Sequence, residues 1–99
     1  VKRLVEDLSY YWNFKNIDDA YTVIDNKPFH EAGLLKLNCD KAMFYFNWRP
    51  SMAYEDTIRM TSEWYYNFYS KDEDIFHKTQ AQISEYENIA IQNGLIWTV

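Results

Sequence analysis

An α/β domain, mostly helical, with two short strands and about four helices is the fold this sequence predicts. Three observations predict it. Apolar residues recur at helical spacing in segments 1–14, 54–69 and from 79 to the low nineties. Two β-prone runs, Tyr21–Ile24 and Leu34–Leu37, flank a loop that holds Pro28 and Gly33. The chain has 99 residues, enough for one small domain spanning 1–99 and too few for two.

In the first segment Leu4, Val5, Leu8, Tyr11 and Trp12 fall on one stripe, which predicts a helix over Val1 to Phe14. Lys15 to Asp19 form a polar turn. Tyr21 to Ile24 make the first strand, ended by Asp25-Asn26-Lys27-Pro28, because proline lacks an amide donor and restricts the residue before it. Leu34 to Leu37 make the second. Two strands are too few for a doubly wound sheet, so they form a small ribbon under helices or pair with strands elsewhere in a longer protein.

Asn38 or Cys39 opens a short helix through Phe46, and Asn38 is the better cap on chemistry alone. Asn47-Trp48-Arg49-Pro50 ends it. The helix from Tyr54 to Tyr69 carries Ile58, Thr61, Trp64, Tyr65 and Phe68 on its apolar face, with Glu55 and Asp56 at its positive end. The last helix starts at Thr79, where Thr79 and Gln82 have the spacing of a capping box. Ile83, Tyr86, Ile89 and Ala90 give its inner stripe, and Gly94 its stop.

Bulk composition narrows the function classes. The chain is 47% hydrophobic, with four Trp, nine Tyr and six Phe, too apolar for disorder and rich in rings for so small an interior. Some rings therefore belong to an interface or a ligand cleft. The net charge of −5, with lysines scattered singly, argues against a nucleic-acid backbone and against an anionic membrane surface. No apolar run approaches membrane-spanning length. A single cysteine, Cys39, excludes an intrachain disulfide and fits a reducing, cytoplasmic compartment. The helical pattern begins in the first turn without an initiator methionine, which predicts a piece of a longer protein.

Catalytic signatures are missing. With two glycines, Gly33 and Gly94, no glycine-rich phosphate cradle forms. His30 and His77 stand 47 positions apart and no CxxC occurs, so neither a metal site nor a catalytic residue is assigned. Binding candidates remain. The segment Pro28–Leu34 holds His30 and Glu31 beside Gly33, and reads either as a loop touching a polar ligand or as a solvated turn with a half-buried histidine. Arg49, between Trp48 and Pro50, either binds a phosphate or packs its stem and closes a local salt bridge. Cys39 reads first as a small buried residue. Trp64 and Tyr65 read first as core, and so do Tyr10, Tyr11 and Trp12.

The run Leu34–Pro50, with Lys41-Ala42 and Trp48-Arg49-Pro50, resembles the tail of extended short-chain dehydrogenase/reductase proteins that act on nucleotide sugars, the NAD-dependent epimerase/dehydratase family. Asn47 stands where that group has glycine, a mild departure because Asn tolerates the left-handed backbone. Glu55-Asp56 and Thr61-Ser62-Glu63-Trp64-Tyr65 continue the match. His30-Glu31-Ala32 ahead of Leu35-Lys36-Leu37, the Trp64-Tyr65-Tyr66 run and Gln82-Ile83-Ser84-Glu85-Tyr86 after Thr79 resemble the CDP-glucose 4,6-dehydratase branch. The resemblance runs from Leu4 to about Asn93.

It implies that these residues are most of the small C-terminal substrate-binding lobe of a parent roughly three times this length. It also implies that an N-terminal Rossmann domain, absent here, binds NAD and carries the catalytic Tyr-x-x-x-Lys pair. The implied parent is a homo-oligomer acting on a nucleotide-diphosphate sugar by internal redox and loss of water, giving a 4-keto-6-deoxy product. The resemblance puts a His-Glu-Ala segment at His30-Glu31-Ala32; with it, His30, Glu31, Gly33 and Arg49 are the expected substrate contacts, and the piece alone is expected to be inactive. A stand-alone binding module with the same lobe, and a related epimerase or reductase, are the alternatives.

Overall fold

Four α-helices organise the chain, which is described by a computed structural model over residues 1–24, 36–70 and 74–98. They are α1 (Lys2–Tyr11), α2 (Asp40–Phe46), α3 (Tyr54–Ser70) and α4 (Ile75–Gln92), with 3-10 turns at Ile17–Asp19 and Ile96–Thr98. α3 is the centre. α1 packs on one side of it and α4 on the other, while α2 packs on none of the other helices.

α1 owes little to local electrostatics. Its first turn has no acid, and its ion pairs run Lys2 to Glu6 and Arg3 to Asp7, the less favourable direction against the helix dipole. Contact with α3 holds it instead. Ser62 Oγ donates to the Leu8 carbonyl (3.0 Å), and Tyr54 Oη donates to Asp7 (2.8 Å). Ser9 and Ser62 are both buried at this crossing, where small side chains let the helices come close. Trp12 then packs edge-on to Tyr66.

Left-handed residues stop three of the helices. Asn13 (φ 61°) follows α1, Asn47 (φ 51°) follows α2 and Gly94 (φ 63°) follows α4. At Gly94 the closure is a full Schellman motif: Gly94 N–H bonds to Ile91 C=O and Leu95 N–H to Ala90 C=O. Asn47 thus does what glycine does at such a position.

The start of α4 corrects the expectation. Asp74, not Thr79, is the cap, and its carboxylate accepts from the Phe76 amide at 2.9 Å. Thr79 lies inside the helix, donating to Ile75 C=O and accepting from Trp64 Nε1 at 2.8 Å. Gln82 reaches the Met60 carbonyl at 2.8 Å. The two residues that resemble a capping box are cross-links between α3 and α4.

The apolar face of α3 is also corrected. Ile58, Met60 and Ser62 are buried, whereas Thr61, Tyr65 and Phe68 are exposed. A helix packed on two sides buries two stripes, so one periodic face does not describe it. On α4 only Ala90 of the expected stripe is fully buried, and Ile83 is exposed.

Among the described residues there is no strand. Tyr21–Ile24 is irregular chain, with Val23 and Ile24 exposed. Of the Leu34–Leu37 run only Lys36 and Leu37 are described, and both are irregular. β-propensity fixes no strand without a paired edge, and no partner for Tyr21–Ile24 lies among the described residues.

The interior is thin. Ile58, Met60 and Ala90 are the buried apolar side chains among the described residues, while Phe44 and Phe46 on α2 are 83% and 78% exposed. The radius of gyration is 17.3 Å, against about 13 Å for a closed domain of this length.

Candidate functional site: an aromatic cleft beside Arg49

Trp48-Arg49-Pro50 leads from the end of α2 to α3. Left-handed Asn47 turns the chain out of α2, and Pro50 fixes the backbone beyond Arg49. The segment is then fastened to α4. Ser51 is buried; its Oγ donates to Tyr86 Oη (3.0 Å), and its carbonyl accepts from Asn93 Nδ2 (2.8 Å). Past the Schellman turn, Ile96–Thr98 folds back so that Trp97 stacks on Tyr86, with ring centres 5.8 Å apart and planes at 16°.

These elements enclose an open cleft of about 410 Å³ lined by Phe46, Asn47, Trp48, Tyr86, Ile96 and Trp97. Its lining is four aromatic residues, one aliphatic residue and Asn47. That surface suits a flat or partly apolar group. Arg49 is exposed next to Trp48 in sequence and makes no ion pair among the described residues. The local salt bridge offered as its structural role is therefore not formed there, and a guanidinium in this position can take a phosphate bidentately.

His30, Glu31 and Gly33, the other expected substrate contacts, lie outside the described residues. Cys39 is exposed at the start of α2, contrary to the buried position expected of it. Asn38 serves that helix from one position earlier, accepting from the Asp40 amide at 2.6 Å. Trp64 is a packing residue as expected, stacked on Phe68 and hydrogen-bonded to Thr79. Tyr65 and Tyr10 are exposed.

Sequence reasoning missed Ser51, Asn93 and Trp97. Trp97 carried the one usable signal, a large ring just beyond a helix stop.

Electrostatics elsewhere are concentrated on α3 and α4. Arg59 bonds Glu85 and also reaches Glu63 (3.5 Å) and Asp56 (3.9 Å), while Lys78 closes on Glu63 at 3.2 Å. The Glu85 hydrogen bond holds the Arg59 guanidinium above its ordinary value, partly opposed by burial. Asp7 raises Tyr54 by accepting its hydroxyl proton. The Phe76 amide, then His77, lowers Asp74. Among the described residues no group of three or more His, Cys, Asp or Glu side chains is placed to hold a metal ion. No described helix is long and apolar enough to cross a membrane.

Comparison with known proteins bears on this arrangement. No family model matches the chain, and no solved structure does. The CDP-glucose 4,6-dehydratase of Salmonella typhimurium (strain LT2) is 31% identical over 88 residues, covering 87% of this chain. The chain is a distant homologue of that sugar-nucleotide dehydratase. The match occupies 23% of the relative's length, so this chain corresponds to about a quarter of it.

Proposed function

We propose that this chain is the substrate-binding C-terminal lobe of a longer cytoplasmic sugar-nucleotide 4,6-dehydratase that converts CDP-glucose to the 4-keto-6-deoxy product. The observation that carries the proposal is the 31% identity to a CDP-glucose 4,6-dehydratase across 87% of the chain. The thin interior and the exposed rings of α2 support it, because they belong to a lobe that rests on further polypeptide.

NAD is the cofactor of the proposed parent, and the residues here do not fit it. A dinucleotide cradle needs clustered glycines ahead of a helix. This sequence has two glycines, and Gly94 is committed to closing α4. NAD therefore belongs to the proposed N-terminal Rossmann domain, which also carries the acid–base chemistry. This lobe binds and orients the nucleotide sugar, and binding energy gathered away from the hexose serves the step at the hexose.

Arg49 supplies a cation for the diphosphate, while the cleft beside Trp48 offers ring faces. His30 and Glu31 offer polar contacts, and Gly33 allows close backbone approach. The parent is a homo-oligomer in this proposal.

The test is conversion of CDP-glucose by the full-length protein, followed by NMR of the sugar, with other nucleotide-diphosphate sugars and the isolated 99-residue chain as controls. The expected result is a 4-keto-6-deoxy product from CDP-glucose alone, and none from the isolated chain. Absence of product from the full-length, NAD-loaded protein would overturn the proposal.

A further inference from the structure

Two hydrogen bonds from distant parts of the chain converge on one residue, Ser51. Tyr86 Oη accepts its hydroxyl proton across 35 positions, and Asn93 Nδ2 donates to its carbonyl across 42. Ser51 is 5% exposed, whereas each residue from Asn47 to Pro50 is exposed. α2, on the near side of this segment, packs on no other helix. Among the hydrogen bonds of the described residues, these two are the ones that tie the segment to α4.

Both partners are themselves held. Asn93 is the last residue before the Gly94 turn, with its amide bonded to the Ile89 carbonyl. Tyr86 keeps its ring against Trp97 while its hydroxyl serves Ser51. A long, exposed arginine already loses rotamer freedom on binding, so a backbone fixed beforehand spares it a further ordering cost.

We propose that Ser51, Tyr86 and Asn93 form a positioning clamp that holds the backbone of Trp48 and Arg49 for the nucleotide sugar. The clamp rests on the proposed substrate-binding role of Arg49. Ser51, Asn93 and the Tyr86 hydroxyl act through the Trp48–Arg49 segment, while the Tyr86 ring, which Tyr86→Phe retains, also lines the cleft.

The experiment uses the full-length protein with CDP-glucose in kinetics and CDP in calorimetry. Tyr86→Phe removes the hydroxyl and keeps the ring on Trp97, and Ser51→Ala removes the same bond from its other end. Each should raise KM for CDP-glucose and the dissociation constant for CDP about threefold to tenfold, with kcat changed less than about twofold. The Ser51→Ala/Tyr86→Phe double variant should be no worse than the poorer single variant, since one bond is at stake. In an Arg49→Ala background, itself weakened about tenfold or more, Tyr86→Phe should lose its effect. If Arg49→Ala binds CDP as the parent does, the substrate role of Arg49 is wrong and the clamp falls with it. If Arg49→Ala weakens binding and neither Ser51→Ala nor Tyr86→Phe does, the clamp alone is wrong. A full Tyr86→Phe effect persisting without Arg49 also overturns it. Should Tyr86→Phe fail to fold, Ser51→Ala reads the same bond.

Discussion

Separating these 99 residues from the rest of the proposed parent should leave a chain that self-associates or is weakly stable, and the size of the effect follows from its surface. The accessible area is 8894 Å², whereas a folded monomer of 12.0 kDa is expected to expose about 6,000 Å². The surplus, 8894 less about 6,000, is about 2,900 Å² on this one chain, at least one partner's share of a large obligate interface, which buries about 2,000–5,000 Å² counted over both partners. With somewhat over half of it apolar, covering it is worth about 40 kcal/mol gross, before ordering costs. Net domain stability is only about 5–15 kcal/mol, so a surface of this size decides whether the lobe stands alone. Phe44 and Phe46 test the point cleanly, because α2 packs on no other helix and their loss leaves the α1–α3–α4 packing intact. In analytical ultracentrifugation the isolated chain should associate, and Phe44→Ser or Phe46→Ser should weaken association about tenfold to a hundredfold each. A strictly monomeric chain at high concentration that melts above about 70 °C, beyond the usual 45–65 °C of mesophile domains, would refute the reasoning.

Thr79→Val keeps the shape of a residue inside α4 but leaves the half-buried Trp64 Nε1–H without its acceptor, and should cost about 1–3 kcal/mol by urea denaturation of the full-length protein. Were Thr79 a cap, the loss would instead appear as fraying confined to the helix start. Asp74 has a folded value below its ordinary 3.8, so its support for the first turn of α4 is present above that pH and lost as pH falls through the lower folded value. The Phe76 amide resonance should titrate with a midpoint below 3.8, and Asp74→Asn should abolish that titration. His30→Ala and Glu31→Gln, made separately in the full-length protein, should each weaken CDP-glucose binding about tenfold to a hundredfold and leave NAD binding unchanged. Unaltered affinity and melting temperature in both would make the Phe29–Gly33 segment a plain connection.

What the sequence made legible follows the range of the forces involved. α2 and α3 lie within a residue or so of their expected limits and α4 stops where expected, because Asn47, the Glu55-Asp56 first turn and Gly94 act through neighbours in the chain. α4 was misplaced at its start because Thr79 and Gln82 satisfy a local rule while their hydrogen bonds go to α3, 15 and 22 positions away. Tyr21–Ile24 has β-branched character, yet strand formation depends on an edge that local sequence does not contain. The clamp at Ser51 was invisible for the same reason: a serine after a proline is common, and only the fold brings Tyr86 and Asn93 to it. Arg49 stands out in the sequence because Trp-Arg-Pro is a local pattern, whereas its lack of an ion pair among the described residues is a fact of three dimensions.

The clamp also depends on what steadies α4, and polar links to α3 contribute there beside the few buried apolar side chains. Three apolar side chains are buried among the described residues, whereas Thr79, Gln82 and Glu85 each bond from α4 to α3. Glu85 is the residue before Tyr86, so the Arg59 network grips α4 one position from the clamp. Arg59→Met keeps much of the stem and removes the cation. Its partners are a third to nearly half exposed, so solvent screening limits the loss to about 1 kcal/mol despite the short Glu85 contact. The diagnostic is salt. Raising ionic strength should lower the melting temperature of the parent toward that of Arg59→Met and affect the variant much less. If α4 is held through this network, Arg59→Met should also raise KM for CDP-glucose modestly, through Tyr86, with kcat nearly unchanged. A variant that melts earlier at every salt concentration by the same amount would show that Arg59 acts through the packing of its stem, and an unchanged KM would show that α4 keeps Tyr86 in place without it.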